Sequence, residues 1–99
     1  MSTKIDLGYV LLSAKVAVGL RSDFRFAEFV GRCLHRHLNG DTGSVHQEPW
    51  QTELAIKSGT YRSSYIDHPA GFELRVITER DRNQMPRTSV VFVDEGGCI

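Results

Sequence analysis

A chain of 99 residues, 40% hydrophobic and 24% charged, is long enough to bury one core without obligatory disulfides or metal, and one domain is expected. Twelve Lys and Arg balance twelve Asp and Glu, which excludes the strongly basic surface of a general nucleic-acid binder while leaving room for a local basic patch. The same neutrality removes a barrier to self-association, so a monomer or a weak homodimer is expected.

The N-terminal "MSTKIDLGYVLLSAKV" holds only a short apolar run, Tyr9 to Leu12. That run is too short for a signal-peptide core or a bilayer span, so a cytoplasmic protein without membrane contact is expected. "LGYVLL", 7 to 12, reads as a short buried strand, although a helix start has the same pattern. "SAKVAVGL", 13 to 20, suits a short helix capped by Ser13 and ended by Gly19. Phe26, Ala27, Val30, Cys33, Leu34, His37 and Leu38 then recur at helical spacing. Ser22 or Asp23 can cap that helix, and Gly40 stands where a left-handed stop is expected.

"NGDTGS", 39 to 44, is a turn cluster. Glu48, Pro49 and Trp50 open another short helix, which runs through Leu54, Ala55 and Ile56 to a stop at Gly59. Trp50 can anchor either a core or an interface, and the core is favoured. Beyond Gly59 the period becomes two. "TYRSSYI", 60 to 66, puts Tyr61, Ser63 and Tyr65 on one face. After the turn "DHPAG", "FELRVIT", 72 to 78, aligns Phe72, Leu74, Val76 and Thr78. "ERDRNQMPR" is a polar loop, "TSVVFV", 88 to 93, a β-branched strand, and "DEGGCI" a mobile tail. The expected class is α+β: two to three N-terminal helices on a three-stranded antiparallel meander, with room for a short N-terminal strand beside it and an ordered core over 7–93.

The chemistry-bearing residues offer few constellations. Cys33 and Cys98 stand far apart, one on a helix face and one penultimate, so reduced thiols are expected rather than a disulfide. His35 and His37 are two apart on a helix and point to different faces. Cys33 and His37 share a face, but His46 and His68 stand alone, and a packed thiol beside a hydrogen-bonded core histidine outweighs zinc. No nucleophile elbow is present, and "GDTG" lacks the lysine and the following helix of a phosphate loop. Asp41 holds that turn without needing a function. No metal and no cofactor is expected.

Glu79, Arg80, Asp81 and Arg82 are four consecutive charges at a strand exit. They read as a solvated hairpin shoulder, as a binding surface led by the two arginines, or, with least support, as a catalytic carboxylate pair.

"RHLNGDTG" (36–43), "ELAIKSG" (53–59), "SSY" (63–65), "LRVITERDR" (74–82) and "TSVVFV" (88–93) together resemble a family of short bacterial proteins labelled plasmid-related or uncharacterised and often carried on mobile elements. The resemblance spans residues 7 to 93. It departs from the family pattern at Thr42, where the family has Trp, in a shorter middle helix lacking an Asn, and in a last strand that ends "VDEGG". The resemblance implies no established activity. It does pick out His37, Asp41, Thr78, Glu79, Asp81 and Arg82 as polar motif positions, and implies that the helix end and strand end meet, with Asp41 or Glu79 paired to Arg82. The functional expectation is a small, non-enzymatic module that binds a protein partner, with binding residues among His37, Asp41, Glu79, Arg80, Asp81 and Arg82. The alternative is an RNA-directed ribonuclease resembling small ribosome-dependent toxins, which also set helices before an antiparallel sheet.

Overall fold

The computed structural model describes residues 6–45, 48–67 and 71–95. Four strands, β1 (Tyr9–Leu12), β2 (Thr60–Ile66), β3 (Glu73–Arg80) and β4 (Pro86–Phe92), form one sheet in the order β1-β4-β3-β2. The last three strands make the antiparallel meander expected from their short connections. β1 joins the sheet beside β4 and parallel to it, which requires a crossover; α1 (Ala14–Ser22) and α2 (Phe24–Leu38) supply it. α3 (Pro49–Ser58) packs beside β2, and Val93–Glu95 forms a single 3-10 turn.

Strand register sets the faces. Tyr61, Thr78 and Thr88 lie side by side across β2, β3 and β4, as do Ser63, Val76 and Val90, and then Tyr65, Leu74 and Phe92. Against this face α2 buries Phe26, Phe29, Val30, Cys33 and His37. Phe26 stands edge-on to Phe72 at 5.2 Å and stacks on Phe92 at 5.6 Å, while Phe29 meets Phe72 at 5.6 Å. Val16 of α1, Leu74, Val76 and Val90 complete the core. The opposite face carries Arg62, Arg75, Ile77, Glu79 and Arg87, all partly or fully exposed.

Several boundaries differ from the sequence expectation, each for a local reason. α1 does not end at Gly19. Its residues continue to Ser22, and a Cβ at Gly19 would lie 2.7 Å from the Phe26 ring, so that glycine serves the close approach of α1 and α2 rather than a stop. Asp23 closes α1 through its backbone N–H to Gly19 O at 3.0 Å, and it opens α2 by accepting from Arg25 N at 2.9 Å. β3 runs on to Arg80 and β4 begins at Pro86, so Glu79 and Arg80 belong to the ladder instead of the loop. Gly40 and Gly59 take the expected left-handed conformation, with φ of 84° and 92°. Trp50 is not in the core: it is 63% exposed. Asp94 and Glu95, expected to begin the tail, lie in the 3-10 turn, where the Glu95 carboxylate accepts from Ser13 Oγ and Phe92 N, each at 2.8 Å. His46, His68 and Cys98 lie outside the described residues.

The turn after α2 folds onto the outer edge of β2. Gly43 bridges to Ser64, with Ser64 N donating to Thr42 O at 3.2 Å and Ser44 N to Ser64 O at 2.7 Å. Gly43 has φ 64°, and a Cβ there would lie 2.0 Å from Ser64 O. Gly43→Ala is therefore expected to cost more than about 1 kcal/mol, measured as a lower urea midpoint with unchanged slope.

Candidate functional site

Among inward-facing side chains, the polar ones cluster at the α2 C-terminal end of the sheet. His37 is fully buried on the last turn of α2. Its Nδ1 meets Ser63 Oγ in a short hydrogen bond, and its Nε2 meets Thr78 Oγ1 at 2.7 Å. Thr78 Oγ1 in turn meets Thr88 Oγ1 at 2.7 Å, and Thr88 Oγ1 donates to Leu7 O at 2.7 Å.

The directions of these bonds follow from proton counting. A carbonyl only accepts, so the single Thr88 proton goes to Leu7 O and Thr88 accepts from Thr78. Thr78 has then used its proton, so it accepts from His37, whose proton must sit on Nε2. Burial favours the neutral imidazole, in which Nδ1 is left as the acceptor for Ser63. The imidazole is neutral, in one tautomer, with both nitrogens engaged. Burial pushes its pKa down to about 4, since nothing around it favours the charged form.

That arrangement ties α2 to three strands and to the segment before β1. It also encloses His37: the imidazole is fully buried, and both ring nitrogens are occupied by hydroxyls. Tyr61 packs against the imidazole with ring centroids 4.4 Å apart. The Tyr61 hydroxyl is buried, has no hydrogen-bond partner among the described residues, and is pushed up to about 12 by burial. Burial likewise lifts the Cys33 thiol to about 12, which leaves it protonated and a poor nucleophile at neutral pH. No group of three or more metal-capable side chains gathers among the described residues.

The helix end and the strand end do meet, but through His37 and Thr78. The expected pairing of Arg82 with Asp41 or Glu79 does not form. Asp41 binds Arg36, with Oδ2 2.7 Å from Nε and Oδ1 3.3 Å from Nη2, because both flank the last turn of α2. Arg36 and the Gly43 N–H hold the Asp41 carboxyl below its usual range. The same guanidinium lies 4.7 Å over the Tyr65 ring, and the Tyr65 hydroxyl donates to Asp41 O. Asp41 is thus the staple of the turn.

The four consecutive charges separate. Glu79 pairs with Arg87 at 2.9 Å, its registered neighbour across β3 and β4. Asp81 organises the hairpin loop by accepting from Asn83 N at 2.8 Å and Met85 N at 3.0 Å, with Tyr9 Oη at 3.3 Å. Arg80 donates to Gln84 O at 3.0 Å and lines a cavity of about 270 Å³ with Asp6, Ile56, Gly59, Tyr61 and Thr78. Arg82 is exposed, and its side chain makes no hydrogen bond or ion pair among the described residues.

Ser63 and Thr88 were not singled out from sequence as site residues. Their signal was present as polar residues at inward positions of a period-two pattern, but it becomes readable only once strand register aligns them with His37. Searches of protein-family models, of curated proteins and of solved structures find no match to this chain.

The depressed histidine has a consequence for stability. Above about pH 6.5 the unfolded and folded chains both hold His37 neutral. As pH falls toward 4 only the unfolded chain takes up the proton, so stability present above 6.5 is lost over that window, by about 3 kcal/mol in all. Urea melts of the wild type should fall across it, and His37→Gln, less stable at pH 7, should show a distinctly flatter profile. Thr78→Val, which orphans the Nε2 proton, should cost about 1–3 kcal/mol at pH 7.

Proposed function

We propose that this protein is a small non-catalytic interaction module that binds a protein partner through the outer side of α3. The observation that carries the reading is the display of two large apolar side chains one turn apart on that helix: Trp50 is 63% exposed and Leu54 is 59% exposed. Tryptophan is the residue type most enriched among interface anchors, and an exposed Trp–Leu pair on a helix offers what an apolar pocket on a partner would receive.

The charged corner that stood out in sequence borders this helix. Arg80 N donates to Gly59 O at 3.1 Å, at the α3 C-terminus, and the exposed Arg80, Arg82 and Met85 follow on the same hairpin. An apolar centre with an arginine-bearing rim is the usual anatomy of a transient interface. In this reading Glu79 and Asp81 hold the rim in shape through Arg87 and the loop amides, while Arg80 and Arg82 contact the partner. The link to mobile elements rests on the family resemblance and belongs to the same proposal.

One observation favours the RNA-directed alternative. The outward side of α2 exposes Arg25, Arg32, His35 and Arg36, with Glu28 among them, a local basic face on a neutral chain. Catalysis is the weaker part of that alternative, because His37 and Cys33 are both buried in unreactive forms.

Affinity capture from a bacterial lysate, with and without nuclease, separates the two. A stoichiometric protein partner that survives nuclease is expected. Trp50→Ala with Leu54→Ala should abolish its capture while changing stability by no more than about 0.5 kcal/mol. Capture that depends on RNA and fails with Arg25 and Arg32 replaced would put the alternative first.

A further inference from the structure

The inner face of β3 ends on an arginine. Thr78 and Arg80 have the same parity on that strand, so both side chains leave the same side of the sheet. Thr78 is engaged in the row that joins His37 to Thr88. Arg80 stands one step further, beside the C-terminal end of α3. Its stem runs past Gly59, where an added Cβ would lie 3.3 Å from Cδ and 3.7 Å from Nε. Nη1 donates to Gln84 O at 3.0 Å, and the other guanidinium donors have no hydrogen-bond acceptor among the described residues.

The cavity of about 270 Å³ that Arg80 lines is also bounded by Asp6, Ile56, Tyr61 and Pro86. Asp6 reaches it from the segment before β1. Its Oδ1 accepts from Gly8 N at 3.0 Å, and Oδ2 has no partner among the described residues. Arg80 and Asp6 therefore carry opposite charges on one cavity without pairing. The ion pairs among the described residues are Arg36 with Asp41 and Arg87 with Glu79. The cavity keeps the two charges apart.

The other walls describe what fits between them. Ile56, Pro86 and the Tyr61 ring are apolar. The Tyr61 hydroxyl is buried without a partner among the described residues, a donor that the chain itself leaves unanswered. The volume lies just below the range of about 300–1,000 Å³ usual for ligand pockets, so the occupant is small.

We infer that this cavity binds a small zwitterion of the amino-acid class, a molecule with one carboxylate and one ammonium group. The carboxylate accepts from the Arg80 guanidinium, whose planar fork suits two parallel hydrogen bonds. The ammonium group donates to Asp6. The remaining carbon atoms lie against Ile56, Pro86 and the Tyr61 ring. A simple carboxylate would gain Arg80 but face Asp6, and a simple amine would meet the reverse. One charge of each sign on the walls thus selects a ligand with one of each. Trp50 and Leu54 do not line the cavity, so the site shares only Arg80 with the α3 surface and does not rest on that reading.

Isothermal titration calorimetry of the intact protein tests this, with the common free L-amino acids added singly to about 10 mM. At least one is expected to bind one-to-one with a dissociation constant below about 1 mM. Its analogue without the amine and its analogue without the carboxylate should each bind at least about tenfold more weakly. Arg80→Gln and Asp6→Asn should each raise the dissociation constant by at least about tenfold, with the unfolding midpoint retained because both side chains are exposed. Arg82→Gln, which alters the neighbouring arginine outside the cavity, should leave binding unchanged. Absence of binding by every amino acid at about 10 mM would overturn the inference. So would a deaminated analogue that binds as tightly as its parent, or binding that neither Arg80→Gln nor Asp6→Asn weakens.

Discussion

The position of α2 on the sheet depends on one uncharged imidazole. His37 reaches Ser63 on β2 and Thr78 on β3, and Thr78 passes the connection to Thr88 on β4 and thence to Leu7. Every hydroxyl in that row has one proton to give, and the terminal carbonyl dictates where each goes. A sliding of any strand by one residue would turn its hydroxyl to the opposite face and leave a buried donor or acceptor alone, at a cost no apolar contact in the row would impose. The aromatic cluster of Phe26, Phe29, Phe72 and Phe92 supplies bulk burial at the other end of α2, but apolar contacts tolerate small shifts that hydrogen bonds do not. The histidine row therefore acts on register and the phenylalanine cluster on stability.

How much of this could be read in the residues follows from the range of each signal. Elements with a local cause were legible: the period of α2, the glycines at 40 and 59, the proline opening α3, and the alternation in β2 and β3. The stop assigned to Gly19 failed because glycine has two uses, and only the packing of Phe26 against α1 shows which one applies. Trp50 was drawn toward the core by its type, whereas α3 packs by its half-buried Ala55 and Ile56 and turns the indole outward. The parallel placement of β1 lies beyond local pattern altogether, since it joins residues from opposite ends of the chain.

The candidate site divides in the same way. His37 and Thr78 stood out as motif positions, but their partners Ser63 and Thr88 are ordinary strand residues until the ladder aligns them. Glu79, Arg80, Asp81 and Arg82 stood out because they are adjacent, yet adjacency on a strand and its turn sends neighbours to different surroundings. One is a cross-strand pair, one borders a cavity, one organises a loop and one is left in solvent. A run of charges in sequence was thus four separate assignments in space. The residues that carry the interaction proposal, Trp50 and Leu54, were conspicuous only by hydrophobicity, and their meaning came from exposure.

The pairing of β1 with β4 bears on the order in which the chain can assemble. Leu7 and Thr88, joined by a hydrogen bond, are 81 positions apart, so during synthesis the first strand emerges long before the strand it will join. The helices α1 and α2 can form as soon as they leave the ribosome, but the sheet face that buries Val16 and Phe26 is incomplete until β4 has been made. Until then an apolar strand without charge or proline lacks the neighbour with which it pairs in the fold. Closure of so distant a contact is slow relative to local pairing, whereas the strands of the β2–β3 hairpin lie close in sequence.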